Sequence, residues 1–206
     1  MTAPDELTDA PACRALSWAG TALFAVALAM LALLARWDEL RIASAFFAPL
    51  LVMMLIPHGL PPLMVAIATA CFLVSAAGWA WDWYADFWWF DVALHALNPF
   101  IIVAVTMFML WKADLVSVAR PGRFVLWSAA TGLALGIGWE LIELTFLVLT
   151  WPDTILDLVM DTAGAALGGW FAIWVIERRR LAPLGRRRLA ALRARPLSRP
   201  LPGPAE

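Results

Sequence analysis

Apolar positions in this chain gather into long unbroken runs, and prolines, arginines and acids punctuate the breaks between them. Reading the runs between these breaks predicts six helical segments, near 16–35, 42–57, 62–81, 90–111, 124–149 and 154–176. Most reach the roughly 20 residues that a helix needs to cross hydrocarbon. The second is short and ends in Pro57-His58-Gly59-Leu60-Pro61-Pro62, a turn rich in helix breakers. Residues 42–81 therefore also admit one span plus a re-entrant piece. The expected fold class is all-α: a polytopic membrane protein built as a six-transmembrane-helix bundle. An N-terminal arm (1–15), a spanning domain (16–176) and a basic tail (177–206) divide the chain.

Composition agrees. Of 206 residues, 63% are hydrophobic and 15% charged, whereas soluble domains usually carry about a quarter charged residues. Cys13 and Cys71 fall in a polar arm and an apolar run, which supports neither a disulfide frame nor a thiolate metal site. The acid-rich start lacks the basic opening of a secretory signal, and the first apolar run is longer than a signal core, so we read it as a retained span.

Charge fixes an expected orientation. With six spans, one side holds Arg14, Lys112, Arg120, Arg123 and the nine arginines of the tail, against Arg36 and Arg41 on the other. The positive-inside rule then puts both termini in the cytoplasm, across a bacterial inner membrane. The aromatic run WAWDWYADFWWF reads as an interfacial belt on the outer side.

The candidate chemistry is acidic. Asp91, His95, Glu140, Glu143, Asp157 and Asp161 come from the last three segments, and no Lys or Arg occurs in 42–111 or 124–177. Ionisable groups in hydrocarbon are costly and by default mark function. Asp91, His95 and Asn98 follow i, i+4, i+7; Asp153, Asp157 and Asp161 follow i, i+4, i+8. Each set lies on one stripe of a helix. Trp139, Asn98, Asp153 and Thr162 are the expected supporting residues around the six. Ser128, Gly132 and Gly136 continue the Glu140 stripe, and Gly164 and Gly168 that of Asp161, which predicts close packing of the last two spans.

Crowded carboxylates in a poorly solvated place cannot all carry charge, and no cationic side chain is available to them. A divalent cation is one solution: Mg²⁺ or Mn²⁺ suits the oxygen-rich set, with Ca²⁺ and Zn²⁺ as further options. Such an ion would grip a phosphate or activate water. Protonation is the second, making the chain a proton or cation transporter or channel. The third is structural, with neutral acids hydrogen-bonded to Trp139, Asn98, Thr145 and Thr162. An embedded acid stripe is missing from the cytoplasmic half, which weakens the conduit reading. A non-catalytic envelope partner or regulator is a further class.

Other features carry less. His58 sits in the proline-rich turn and reads as a solvated turn residue. No nucleophile, base and orienting acid stand at recognisable spacing, so no catalytic residue and no organic cofactor is assigned. The tail over 186–195 suits a short surface helix on the anionic inner leaflet, followed by a proline-rich disordered end. Topology accounts for its arginines, so nucleic-acid binding is not expected; membrane lipids are the expected partners.

Residues 88–170 resemble a loose group of small bacterial membrane proteins, the YjdF-like proteins and the more distant VanZ-like family. The resemblance rests on Asp91-x-x-x-His95, on Trp139-Glu140-x-x-Glu143 and on Asp153-Thr-x-x-Asp157-x-x-x-Asp161-Thr-x-Gly164-Ala165. VanZ-like members look similar, with Gln where Glu143 stands and Asn where Asp161 stands, and often with an arginine that 144–156 lacks. The VanZ-like resemblance implies a role in glycopeptide tolerance at the cell envelope; the YjdF-like pattern fits better and implies no settled activity. The combined expectation is an outward-facing acidic pocket that holds a divalent cation and, through it, a polar lipid or envelope-precursor headgroup.

Overall fold

The computed structural model describes residues 7–145 and 150–179. The expected surface helix at 186–195, the start of the N-terminal arm and 146–149 lie outside the described residues. Seven helices follow in order: α1 Pro11–Leu33, α2 Trp37–Leu55, α3 Pro62–Ala80, α4 Trp83–Asp86, α5 Trp88–Lys112, α6 Pro121–Glu143 and α7 Trp151–Arg178. No strand occurs among the described residues. By length and composition, α1, α3, α5, α6 and α7 are each able to cross a membrane. The expected second span is the exception. Its helix begins at Trp37, earlier than the apolar run, because Asp38 and Glu39 enter its first turn where the helix dipole favours acids.

Local sequence explains the boundaries. Pro11, Pro62 and Pro121 each open a helix, at the position where a missing N–H costs nothing. At the end of α1, Ala35 takes φ 53°, while Ala35 N and Arg36 N donate to the Ala32 and Leu31 carbonyls. Asp114 does the same after α5, with φ 65° and Leu115 N donating to Leu110. Both corners are Schellman motifs without the usual glycine.

The helices pack as two groups of three. α1, α2 and α3 contact one another, α5, α6 and α7 do likewise, and α3 against α5 joins the groups. At one end of the bundle, Leu63 N donates to the Thr8 carbonyl at 3.2 Å, Lys112 Nζ to the His58 carbonyl at 2.7 Å, and Arg179 pairs with Asp9 at 2.9 Å. At the other end Arg36 Nη2 reaches the Ala80 carbonyl at 3.0 Å. The six long helices therefore alternate in direction, and the start of α1 lies beside the end of α7.

Glycines set the tightest contacts. A Cβ on Gly132 or Gly136 would run into Ala165 or the Asp161 carboxylate of α7. The α6 stripe thus packs on α7 beneath the acids, as its spacing predicts. Two α7 glycines turn elsewhere: Gly164 and Gly168 lie against the Ala96 and Phe100 carbonyls of α5, while Gly169 faces Ser128 of α6. α7 is wedged between α5 and α6 through two small-residue faces, and van der Waals packing of this kind holds helices together in lipid. Toward the Arg179 end an apolar core of Met64, Val103, Met107, Phe108, Phe124 and Val175 closes the bundle.

Candidate metal centre

α5 brings Asp91 and His95 into the bundle one turn apart, while α7 does the same with Asp157 and Asp161. The end of α6 adds Glu140 and Glu143. His95 is at the centre. Its Nδ1 stands 3.2 Å from Asp161 Oδ1, and its Nε2 stands 3.7 Å from Asp91 Oδ1 and 4.0 Å from Asp157 Oδ1. The shorter contact is a hydrogen bond; the other two are too long to be one. A proton on Nδ1 directed at Asp161 leaves the Nε2 lone pair facing Asp91 and Asp157. A carboxylate on one imidazole nitrogen orienting the other towards a cation is the usual arrangement at metal-binding histidines.

The spacing suits an ion. Two atoms bound to one cation at about 2.1 Å stand roughly 3–4 Å apart, and somewhat farther for a larger ion. Ligand atoms of Asp91, His95 and Asp157 lie within 4.8 Å of one another, and so do those of His95, Glu140 and Glu143. Burial sharpens the point: His95 is 7% exposed, Glu140 5%, Glu143 8%, Asp157 3% and Asp161 3%. Both carboxylate oxygens of Glu140, Oδ1 of Asp157 and Oδ2 of Asp161 have no hydrogen-bond partner. Buried oxygens of this kind cost about 1–3 kcal/mol each, more when charged, unless something binds them. Among the described residues the arginine ion pairs go elsewhere, from Arg36 to Glu39, Arg41 to Asp38 and Arg179 to Asp9.

Pro99 interrupts the α5 hydrogen-bond ladder. It sits inside α5, four residues after His95, and lacks the N–H that would bond the His95 carbonyl. That carbonyl therefore has no i+4 amide partner in the helical ladder.

The supporting residues divide. Trp139 Nε1 donates to Glu143 Oε1 at 2.8 Å, as a residue holding a ligand would. Ser75 Oγ of α3 donates to Asn98 Oδ1 at 3.1 Å. Thr162 bonds the Leu158 carbonyl of its own helix at 2.7 Å, and Asp153 is exposed at the start of α7; neither is joined to the acids by a hydrogen bond or ion pair. Thr145 likewise bonds its own helix, at the Ile142 carbonyl. His58 is half-buried, with its ring fixing the turn between the Met53 carbonyl at 2.6 Å and the Leu60 amide at 2.8 Å.

Beside the acids lies a cavity of about 210 Å³ that all of the long helices except α1 help to line. Asp91, His95, Asn98, Glu143 and Asp161 form its polar wall; Phe46, Phe72, Ile102 and Leu135 are apolar, and Trp79, Tyr84 and Trp139 complete it. Sequence reasoning singled out none of the residues from α2. Phe46 and Phe72 look like any other apolar helix positions, and only the proximity of Trp79 and Tyr84 to the acid-bearing span carried a signal. No family model, curated protein or solved structure matches this chain, so what the centre does must be read from its own donor set: one imidazole nitrogen and several buried carboxylates, gathered from three helices.

Proposed function

We propose that this chain is a bacterial inner-membrane protein with six crossings and cytoplasmic termini, whose acidic centre opens outward and binds a divalent cation. Mg²⁺ or Mn²⁺ fits the oxygen-rich donor set, and Zn²⁺ fits the Asp91, His95 and Asp157 group. Through that cation the site takes the polar headgroup of a lipid or of a lipid-linked envelope precursor. The resemblance of residues 88–170 to YjdF-like and VanZ-like proteins agrees with an envelope setting.

One observation carries this reading: four carboxylate oxygens on three buried acids have no partner, yet their side chains surround a histidine whose Nδ1 is bonded to Asp161. Neutral acids held for structure alone would be hydrogen-bonded. A cation satisfies them together, and it would polarise a bound phosphate for hydrolysis or transfer. α2 supports the sixth crossing, because its 19 residues reach about 28 Å.

Elemental analysis and calorimetric titration of the purified protein test the proposal. Wild-type protein should hold close to one divalent ion per chain. Asp157→Asn and Glu140→Gln should reduce that occupancy while helicity is retained. Metal-free wild type that also fails to take up Mg²⁺, Mn²⁺ or Zn²⁺ would refute it.

A further inference from the structure

The cavity beside the acids is polar towards one end and apolar towards the other, and part of its apolar lining is exposed. Its lining on α5 runs from Asp91 to Ile102, a separation that covers about 16 Å of helix. Asp91 and His95 of α5 and Glu143 of α6 lie at one end, Ile102 of α5 and Leu135 of α6 lie towards the other, and α2 and α3 add Phe46, Phe72 and Trp79. Three lining residues are also surface residues: Ile102 is 37% exposed, Leu135 44% and Trp139 36%. α2 and α6, which both line the cavity, do not belong to one packed group. The exposed Ile102 of α5 and Leu135 and Trp139 of α6 bring the lining to the bundle surface through apolar side chains.

From this partition we infer that the ligand is a single-chain or chain-bearing amphiphile with an anionic phosphate head, admitted sideways from the bilayer between α2 and α6. The inference rests on the cation reading given above, since the head is held through the metal. The hydrocarbon chain lies along Phe46, Phe72, Ile102 and Leu135, and the head lies at the Asp91, His95 and Glu143 end. A purely water-soluble ligand would leave that apolar wall unmatched and would have to enter across an apolar rim. Pocket-lining hydrocarbon with a few convergent polar groups is the usual make-up of a small-ligand site, and lipid-exposed hydrocarbon at the mouth selects ligands already dissolved in the membrane.

The test uses full-length protein in phosphatidylcholine nanodiscs loaded with Mn²⁺, with radiolabelled decyl phosphate as the probe and empty nanodiscs to subtract partition into lipid. Leu135→Trp and Ile102→Trp fill the mouth from partly exposed positions without altering an acid. Wild type should bind decyl phosphate, and each variant should lose at least tenfold in affinity while keeping its full Mn²⁺ content. Wild-type affinity in both variants, with Mn²⁺ intact, overturns the inference and leaves the cation reading standing. Binding of inorganic phosphate but not of decyl phosphate by the Mn²⁺-loaded protein overturns it in the same way. Failure of the wild type to take up Mn²⁺, Mg²⁺ or Zn²⁺ removes both.

Discussion

His95 and Asp161, on α5 and α7, meet through Nδ1 and Oδ1 at 3.2 Å, and this contact decides which edge of the imidazole is left for a cation. In the proposed centre Asp161 would orient His95, and its second oxygen, Oδ2, is an acceptor without a partner. Removing an orienting carboxylate typically weakens metal binding 10–100-fold. Asp161→Asn should therefore bind Mn²⁺ about 10–100-fold more weakly, and Asp157→Asn should lose more. Calorimetry on both proteins checks the order; a larger loss in Asp161→Asn would make it a direct ligand of greater weight than Asp157.

Glu140 is buried with both oxygens unpartnered, so in metal-free protein it is a cost. Replacing buried charged groups by apolar residues of similar volume is often stabilising by about 1–4 kcal/mol. Glu140→Met should raise the stability of the metal-free protein by about 1–3 kcal/mol and weaken metal binding. Reversible unfolding in mixed micelles, with and without chelator, measures it; a destabilised metal-free variant would show that Glu140 has a partner in the fold.

Metal uptake should depend on pH in one direction. A bound cation needs deprotonated carboxylates and a free imidazole nitrogen, so binding releases protons and affinity rises with pH. Mn²⁺ affinity should fall steadily from pH 8 to pH 5. At a free metal concentration 100 times the Kd, the folded protein should gain about 2.7 kcal/mol. Thermal melts across a metal titration at two pH values read both effects.

Two glycines separate packing from propensity. A Cβ on Gly164 would strike the Ala96 carbonyl, whereas one on Gly138 meets nothing within 4 Å. Gly164→Ala should cost about 1–3 kcal/mol by forcing α5 and α7 apart. Gly138→Ala should be neutral or stabilising by up to about 1 kcal/mol, through helix propensity. Equal effects of the two would argue against the close α5–α7 contact.

Ala35 occupies left-handed backbone at φ 53°, a conformation that costs L-residues roughly 1–2 kcal/mol. Ala35→Gly should stabilise the α1–α2 corner by about 1 kcal/mol in the same unfolding assay.

Much of this molecule was legible in its sequence, for identifiable reasons. Long apolar runs gave the six long helices, but α1 and α2 begin five residues before the runs at 16 and 42, at Pro11 and Trp37, where local helix-start signals set the ends. The i, i+4 spacings of Asp91 with His95 and of Asp157 with Asp161 placed each pair on one helical stripe, and the absence of Lys and Arg pointed to a site. Three things were hidden. α2 starts at Trp37 because its acids suit a first turn, which hydropathy cannot register. The partners of Gly164 and Gly168 are carbonyls on α5, and a stripe of small residues does not say which neighbour it meets. Phe46 and Phe72 line the cavity, but nothing local separates them from apolar residues that face lipid or core.

The grouping of the helices into two sets of three has a consequence for how such a protein can diversify. Asp91, His95, Glu140, Glu143, Asp157 and Asp161 all reside on the C-terminal set, while α2 and α3 supply only Phe46, Phe72 and Trp79 to the cavity. If the centre binds the proposed cation, substitutions in the first half of the chain would reshape what fits beside it while leaving its ligands untouched, so ligand fit and cation binding could evolve on separate stretches of the gene.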